Sequence, residues 1–283
     1  MDNFGATAYC EKKESKNLQV EAIIRKWYKA LKISPCYNAE FNEALKKYEI
    51  TDTVTVDSCG DGSEDGARNL LIYLYLCEEL SRKYKEKGIP EEILMDTLSG
   101  IPRWLDVHSN IKKKMWLGEI HWLKLYMQMR LFKIGRLEYC FGRCHYDVDD
   151  KGIKKGEKII EIHIPAGEKL TQGGCLESLN MAREFYARYY PEYEYEYFTC
   201  ESWLLDTALS NVLPENSNIL KFGNMFERYV ENKKLALLRF VFRWDITEND
   251  LKTEVAPNSF CQRVKDYILE GGEFHETFGI IKK

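Results

Sequence analysis

The sequence predicts an α+β chain in two parts, a helical domain over residues 1–132 followed by a mixed β-sheet with flanking helices over residues 133–283. Three observations carry this. Apolar residues recur at helical spacing through the first 130 residues. After Phe132 the pattern changes to alternation, as in Leu137, Tyr139 and Phe141. Residues 158–222 then read as strand, loop, helix and strand, a β-α-β unit whose two strands should run parallel.

In the front part, Ile23, Ile24, Trp27 and Leu31 share one side of a helix over residues 19–31, and a second spans 39–48. Residues 54–66 are polar and hold three glycines, which suits a loop. The clearest helix covers 68–87, with Leu71, Leu74, Leu80 and Tyr84 near helical spacing and Gly88-Ile89-Pro90 as its stop. Further helices are expected from Pro90 to Leu98, over 103–115 and over 119–129, with few or no strands before residue 132. Lys112-Lys113-Lys114 suits a solvated helix face, or the neighbourhood of a polyphosphate.

In the rear part, the strand at 137–141 turns through the Asp-, Gly- and Lys-rich residues 147–156 and pairs antiparallel with the strand Lys158-Ile159-Ile160-Glu161-Ile162-His163-Ile164. Pro165-Ala166-Gly167 ends that strand. Thr171 is placed to cap a helix running from about Gly173 to Tyr190. The alternating stretch 193–200 reads as the next strand, followed by a short helical segment over 203–213. Strands are also expected near 219–222 and over 235–244, a helix over 258–269, and a last strand over 274–281.

Composition limits the function classes. The formal charge of −4 and pI near 5.9 lack the basic excess of a general nucleic-acid binder. No apolar run approaches a membrane span, and the N-terminus shows no basic-then-apolar leader, so a cytoplasmic protein without membrane partners is expected. Nine cysteines at irregular spacing suit reduced thiols. Cys140-x-x-x-Cys144-His145 has no second ligand pair, so buried free thiols are expected there and no metal.

Chemistry concentrates in the β-α-β unit. Free N–H groups at a helix start bind anions, and Gly173 and Gly174 would admit a phosphate, although two glycines equally suit a plain turn. No P-loop and no G-x-G-x-x-G fingerprint is present. Glu161 and His163 share a strand face, where either one could accept a proton; a structural His or a solvated Glu is the commoner outcome. Cys200 and Ser202 fall where the 193–199 strand ends, a usual place for ligand contacts. They lack a dedicated base, which favours packing or hydrogen bonding over nucleophilic work.

The sequence resembles the bacterial acyltransferase family that joins a helical N-terminal acyltransferase domain to a GNAT-like C-terminal domain. The resemblance runs from about Leu70 to Ile281. It is carried by Thr97-Leu98, Arg103-Trp104-Leu105, Trp122-Leu123, Gly135-Arg136-Leu137-Glu138-Tyr139, His163-Ile164-Pro165-Ala166-Gly167, Ser178-Leu179, Cys200-x-Ser202-Trp203-Leu204-Leu205-Asp206, Leu213-Pro214-x-x-Ser217-Asn218-Ile219-Leu220-x-Phe222 and Gly271-Gly272. It implies a GNAT-like fold for the rear domain and an acyl-CoA co-substrate, expected to be acetyl-CoA. The pantetheine would lie between two splayed parallel strands, and the pyrophosphate at the following helix start. The implied donor-binding residues are Ile164, Ala166, Gly167, Thr171, Gly173, Gly174, Cys200 and Ser202, with Glu161 and His163 as catalytic candidates. The acceptor would be a small molecule or a peptide amine. The chain departs from the family at Gln172, followed at once by two glycines, and at Glu201, where relatives carry His. Against the enzyme stand two alternatives, a non-catalytic GNAT-like acyl-CoA-binding protein and a protein-interaction module.

Overall fold

The computed structural model describes residues 3–60, 65–232 and 236–283, without the side chains of residues 3–16 and 236. The chain divides into two compact units, Met1–Phe132 and Lys133–Lys283.

The first unit is helical: α1 (Asn3–Ala30), α2 (Asn38–Lys47), α3 (Gly66–Lys87), α4 (Glu91–Leu98), α5 (Gly100–Lys112) and α6 (Ile120–Met127). Its centre is α3, where Leu70, Leu71, Ile72, Tyr73 and Leu74 are all fully buried. Five consecutive buried residues mean that the helix is covered on every side. Asp65 caps its start through the Arg68 N–H at 3.3 Å. Gly88 ends it in the left-handed conformation at φ 72°. The Tyr73 hydroxyl donates to the Ile120 carbonyl at 2.9 Å, so this buried phenol is satisfied within the unit. The lysine run at 112–114 is exposed, and the Lys112 and Lys114 ammoniums lie over the Trp116 ring at 5.4 and 4.6 Å.

The second unit holds most of a six-stranded sheet: β1 (Leu131–Ile134), β2 (Leu137–Arg143), β3 (Lys158–His163), β4 (Tyr197–Ser202), β5 (Glu227–Asn232) and β6 (Glu276–Lys282), in the order β1-β2-β3-β4-β6-β5. β2 and β3 form the expected antiparallel pair. β3 and β4 are adjacent and parallel, joined through α7 (Gln172–Tyr189). The remaining helices are α8 (Asn218–Gly223), α9 (Ala236–Val241) and α10 (Ser259–Leu269). Tyr139, Phe141, Ile160, Ile162 and Phe198 line the α7 side of the sheet, where Phe141 meets Tyr186 edge-on at 5.2 Å. On the other side, Ile159, Phe278 and Ile280 pack with Cys144, Val148 and Ile153, which belong to the chain between β2 and β3.

Three expectations need correction. The strand expected at 193–200 is β4, shifted to Tyr197–Ser202. Tyr193 and Tyr195 lie before it: the Tyr193 hydroxyl donates to the Gly142 and Ile159 carbonyls, and Tyr195 packs edge-on against Tyr186 and Phe198. These rings close the sheet's end instead of alternating along a strand. The expected strand at 219–222 is the helix α8, because the Ser217 hydroxyl caps the Ile219 N–H. The expected strand over 235–244 is the helix α9 where it is described; Leu237, Leu238 and Val241 turn to one core while Phe240 is exposed. The first strand begins at Leu131, close to the expected change of character near residue 132.

Candidate active site

The parallel pair β3–β4 is joined over a short stretch only. Ile160 lies opposite Phe198 and Glu161 opposite Thr199, and the described ladder stops there. β3 nevertheless stays paired to β2 through His163, and β4 to β6 through Ser202. Both strands run on past the end of their shared ladder, which leaves a wedge between Ile162-His163 and Cys200-Glu201-Ser202. Its backbone N–H and C=O groups are spared by the ladder and suit an extended ligand.

Strand alternation fixes which side chains flank this wedge. Glu161 and His163 point away from α7, and the His163 Nε2 lies 3.5 Å from Glu161 Oε2. Both side chains are about one-third exposed, at 30% and 32%, although the His163 Nε2 atom itself is buried. Gly142 leaves the space that the Glu161 carboxylate fills; a Cβ there would strike its Oε1, Cδ and Cγ. Sequence reasoning did not place Glu138 or Glu201 on this face. Glu138 of β2 stands directly opposite His163 and is 2% exposed. Glu201 of β4 is two residues beyond the partner of Glu161, on the same side. Its Oε1 accepts from the Tyr146 hydroxyl at 3.0 Å and from Asn232 Nδ2 at 3.2 Å, and Asn232 Nδ2 also donates to the Tyr146 hydroxyl at 2.7 Å. One imidazole therefore shares a face with three carboxylates, from β2, β3 and β4. The hairpin register alone would have placed Glu138; Glu201 and Asn232 meet only through the sheet order β4-β6-β5.

The other expected residues differ in burial and bonding. Cys200 is 1% exposed, and burial pushes its thiol well up, with Glu201 and Glu161 adding to the shift. It is a packing residue of the strand rather than a nucleophile. The Ser202 hydroxyl accepts from the Leu204 N–H at 3.2 Å and so caps the turn at Trp203–Leu205. Ile164 is half-buried, while Ala166 and Gly167 are exposed where β3 runs out, Gly167 at φ +103°. Thr171 caps α7 as expected, its Oγ1 accepting from the Gly174 N–H at 3.3 Å. Helix geometry leaves the Gln172 and Gly173 N–H groups without intrahelical acceptors. These residues are exposed, and a Cβ on Gly173 would meet nothing within 4 Å. An anion can therefore reach them.

A cleft of about 790 Å³ opens at the far ends of β3 and β4, between Lys158, Tyr190, Tyr193, Tyr195 and Lys283. Lys158 and Lys283 lie over the Tyr193 and Tyr195 rings at 5.2 and 4.4 Å. This cleft surrounds the strand starts, whereas the wedge and the α7 start lie at the strand ends. Its volume does not make it the place of the chemistry. Among the described residues, no group of three or more His, Cys, Asp or Glu is set to hold a metal ion, and the eight described cysteines are free.

Comparisons agree with this architecture. Residues 17–129 match the N-acyltransferase N-terminal domain, and residues 131–281 match the GNAT-like C-terminal domain. No curated protein matches the sequence. Among solved structures, a mutant acyltransferase in complex with octanoyl-CoA is similar at TM-score 0.71 and 20% identity, over 91% of this chain and 87% of that one. An acyltransferase in complex with decanoyl-CoA and teicoplanin is similar at TM-score 0.66 and 24% identity, over 77% of this chain and 68% of that one. At these identities the structural likeness bears on the fold. A parted parallel pair with a helix start beside it, in a domain matched over 151 of its residues, leads to one conclusion: the chain belongs to the acyltransferase family that joins an N-acyltransferase N-terminal domain to a GNAT-like C-terminal domain.

Proposed function

We propose that the chain transfers an acyl group from acyl-CoA to an amine or hydroxyl of a small-molecule or peptide acceptor. The observation that carries this reading is the wedge between β3 and β4, with Glu161 and His163 on one of its faces and the open α7 start at its end. The pantetheine would extend along the free backbone of β3, past Ile164, Ala166 and Gly167. Its diphosphate would meet the N–H groups of Gln172 and Gly173, where the helix dipole contributes about 0.3–2 kcal/mol.

In the reaction the acceptor attacks the thioester carbonyl within a ternary complex. Charge develops on the carbonyl oxygen, and backbone N–H groups of the wedge are suited to hold it. His163 accepts the proton of the attacking nitrogen or oxygen, directly or through one water, and Glu161 holds the imidazole through Nε2. Collapse of the tetrahedral adduct expels the CoA thiolate, which takes up a proton. Glu201, fixed by Tyr146 and Asn232, faces the same wedge and is suited to orient the acceptor.

The similar structures hold octanoyl-CoA and decanoyl-CoA, and one of them also holds teicoplanin. Acyl chains longer than acetyl therefore belong in the assay. The test is release of free CoA thiol from acetyl-, octanoyl- and decanoyl-CoA with a panel of amines and alcohols. Acceptor-dependent release supports the transferase. Thermal stabilisation by CoA with no acceptor-dependent release would leave a binding protein.

A further inference from the structure

Arg136 opens the turn between β1 and β2, next to Gly135 at φ +61°. It is 8% exposed. Its Nε donates to the Lys169 carbonyl at 3.1 Å, and its Nη2 to the Glu168 carbonyl at 2.9 Å. Nη1 is buried with no hydrogen-bond partner. The Glu168 carboxylate is turned elsewhere, to Lys133 Nζ at 3.0 Å. Neutral carbonyls offset only part of the cost of desolvating a guanidinium. A largely uncompensated positive charge thus lies under the loop that leads from β3 to α7.

The same charge is felt in the first turn of that helix. Burial pushes the Cys175 thiol up, and Arg136 partly offsets the shift. The full charge of Arg136 and the partial positive charge of the α7 start therefore act on one patch, Thr171 to Gly174. Both favour an anion there.

We infer that Arg136 is a positioning residue for the diphosphate of the donor. Its fork fixes the carbonyls of Glu168 and Lys169, which sets the loop that presents the Gln172 and Gly173 N–H groups, and its charge draws the anion to them. This rests on the acyl-CoA reading above and adds a determinant that lies outside both the loop and the wedge. It also makes a selective demand: donors that end at pantetheine, with no diphosphate, should not sense Arg136.

The experiment uses the full chain and two variants. Arg136→Met keeps the length of the side chain and removes charge and donors. Arg136→Lys keeps the charge and loses the fork. Melting temperatures without ligand establish folding; should Arg136→Met not fold, Arg136→Lys carries the same comparison. Calorimetry measures binding of CoA and of inorganic pyrophosphate. Kinetics compares acyl-CoA with acyl-pantetheine. The expected result is a loss of CoA and pyrophosphate affinity on the order of tenfold in Arg136→Met. KM for acyl-CoA should rise by a similar factor, with kcat and the KM for acyl-pantetheine unchanged, and Arg136→Lys should recover part of the affinity. A folded Arg136→Met that binds CoA like the parent overturns the inference. So does an equal loss with acyl-pantetheine, which would mark a purely structural residue. A parent that binds pyrophosphate through Arg136 and turns over no acyl-CoA contradicts the transferase reading and supports this one. A parent that binds neither CoA nor pyrophosphate contradicts both.

Discussion

Glu138 of β2 stands directly opposite His163 of β3 in the antiparallel register, so a buried carboxylate and an imidazole about one-third exposed share one face of the sheet beside the wedge. Glu161 approaches the same ring from within β3. The imidazole therefore shares one face of the sheet with carboxylates of two strands.

The first prediction follows from this. Glu161→Gln and His163→Ala should lower turnover by about 10²–10⁴-fold and leave CoA affinity nearly intact. Steady-state kinetics with calorimetry checks both halves. Unchanged turnover in both variants would remove these residues from catalysis and leave solvent as the proton acceptor.

Gly142 offers a gentler version of the same test. The atoms nearest to a methyl group there are the Oε1, Cδ and Cγ of Glu161, a side chain that can turn aside. Gly142→Ala should displace the carboxylate and reduce turnover, with melting temperature close to the parent's. A variant as active as the parent would show that the position of Glu161 does not matter.

Phosphate binding is tested at the helix start. Neither Gly173 nor Gly174 has positive φ, and Gly173 faces open space. Gly173→Val should fold and lose CoA affinity, because its branched side chain stands where the diphosphate would lie. Gly174→Val is different: its Cβ would lie 3.0 Å from Thr171 Oγ1 and disturb the cap, costing about 1 kcal/mol of stability. A folded Gly173→Val that binds CoA as tightly as the parent would rule out this loop.

Much of this site was legible in the sequence because its signals are local. Thr171 before two glycines and the 137–163 hairpin both follow from neighbouring residues, and the structure has them. The misread segments lack such signals. Residues 236–244 are apolar at too many positions for period two to be told from 3.6. β5 is a half-exposed strand at the sheet edge with an irregularity between Arg228 and Val230, so no alternation marks it. The Glu201–Asn232 contact depends on β6, more than forty residues later, lying between their strands.

Ser178 tests the link between the β1–β2 turn and α7. Its hydroxyl is 3.1 Å from the Leu137 N–H, 3.0 Å from the Tyr139 hydroxyl and 2.5 Å from the Ile134 carbonyl, all in the buried interior. Ser178→Ala would leave these groups without that partner and should cost about 1–3 kcal/mol in denaturant unfolding. A loss well under this would mean that water or side-chain movement replaces the hydroxyl.

The thiols separate by burial. Burial pushes Cys77 and Cys200 well up and Cys59 up to about 12, so all three stay protonated and unreactive at pH 8. Cys36 is exposed. Mass spectrometry after brief native alkylation should find Cys36 labelled and Cys77 and Cys200 unlabelled until the chain is unfolded. Rapid native labelling of Cys200 would mean that β4 is not packed as described.

The most direct test of the central claim is acceptor-dependent thiol release by the parent and His163→Ala, across acetyl-, octanoyl- and decanoyl-CoA. The account predicts that the parent releases CoA thiol with at least one donor and one acceptor, and that His163→Ala, while still binding CoA, releases it at least a hundredfold more slowly, on the order expected for loss of a general base. A parent that binds CoA and releases no thiol with any acceptor, or a His163→Ala variant as fast as the parent, would contradict it.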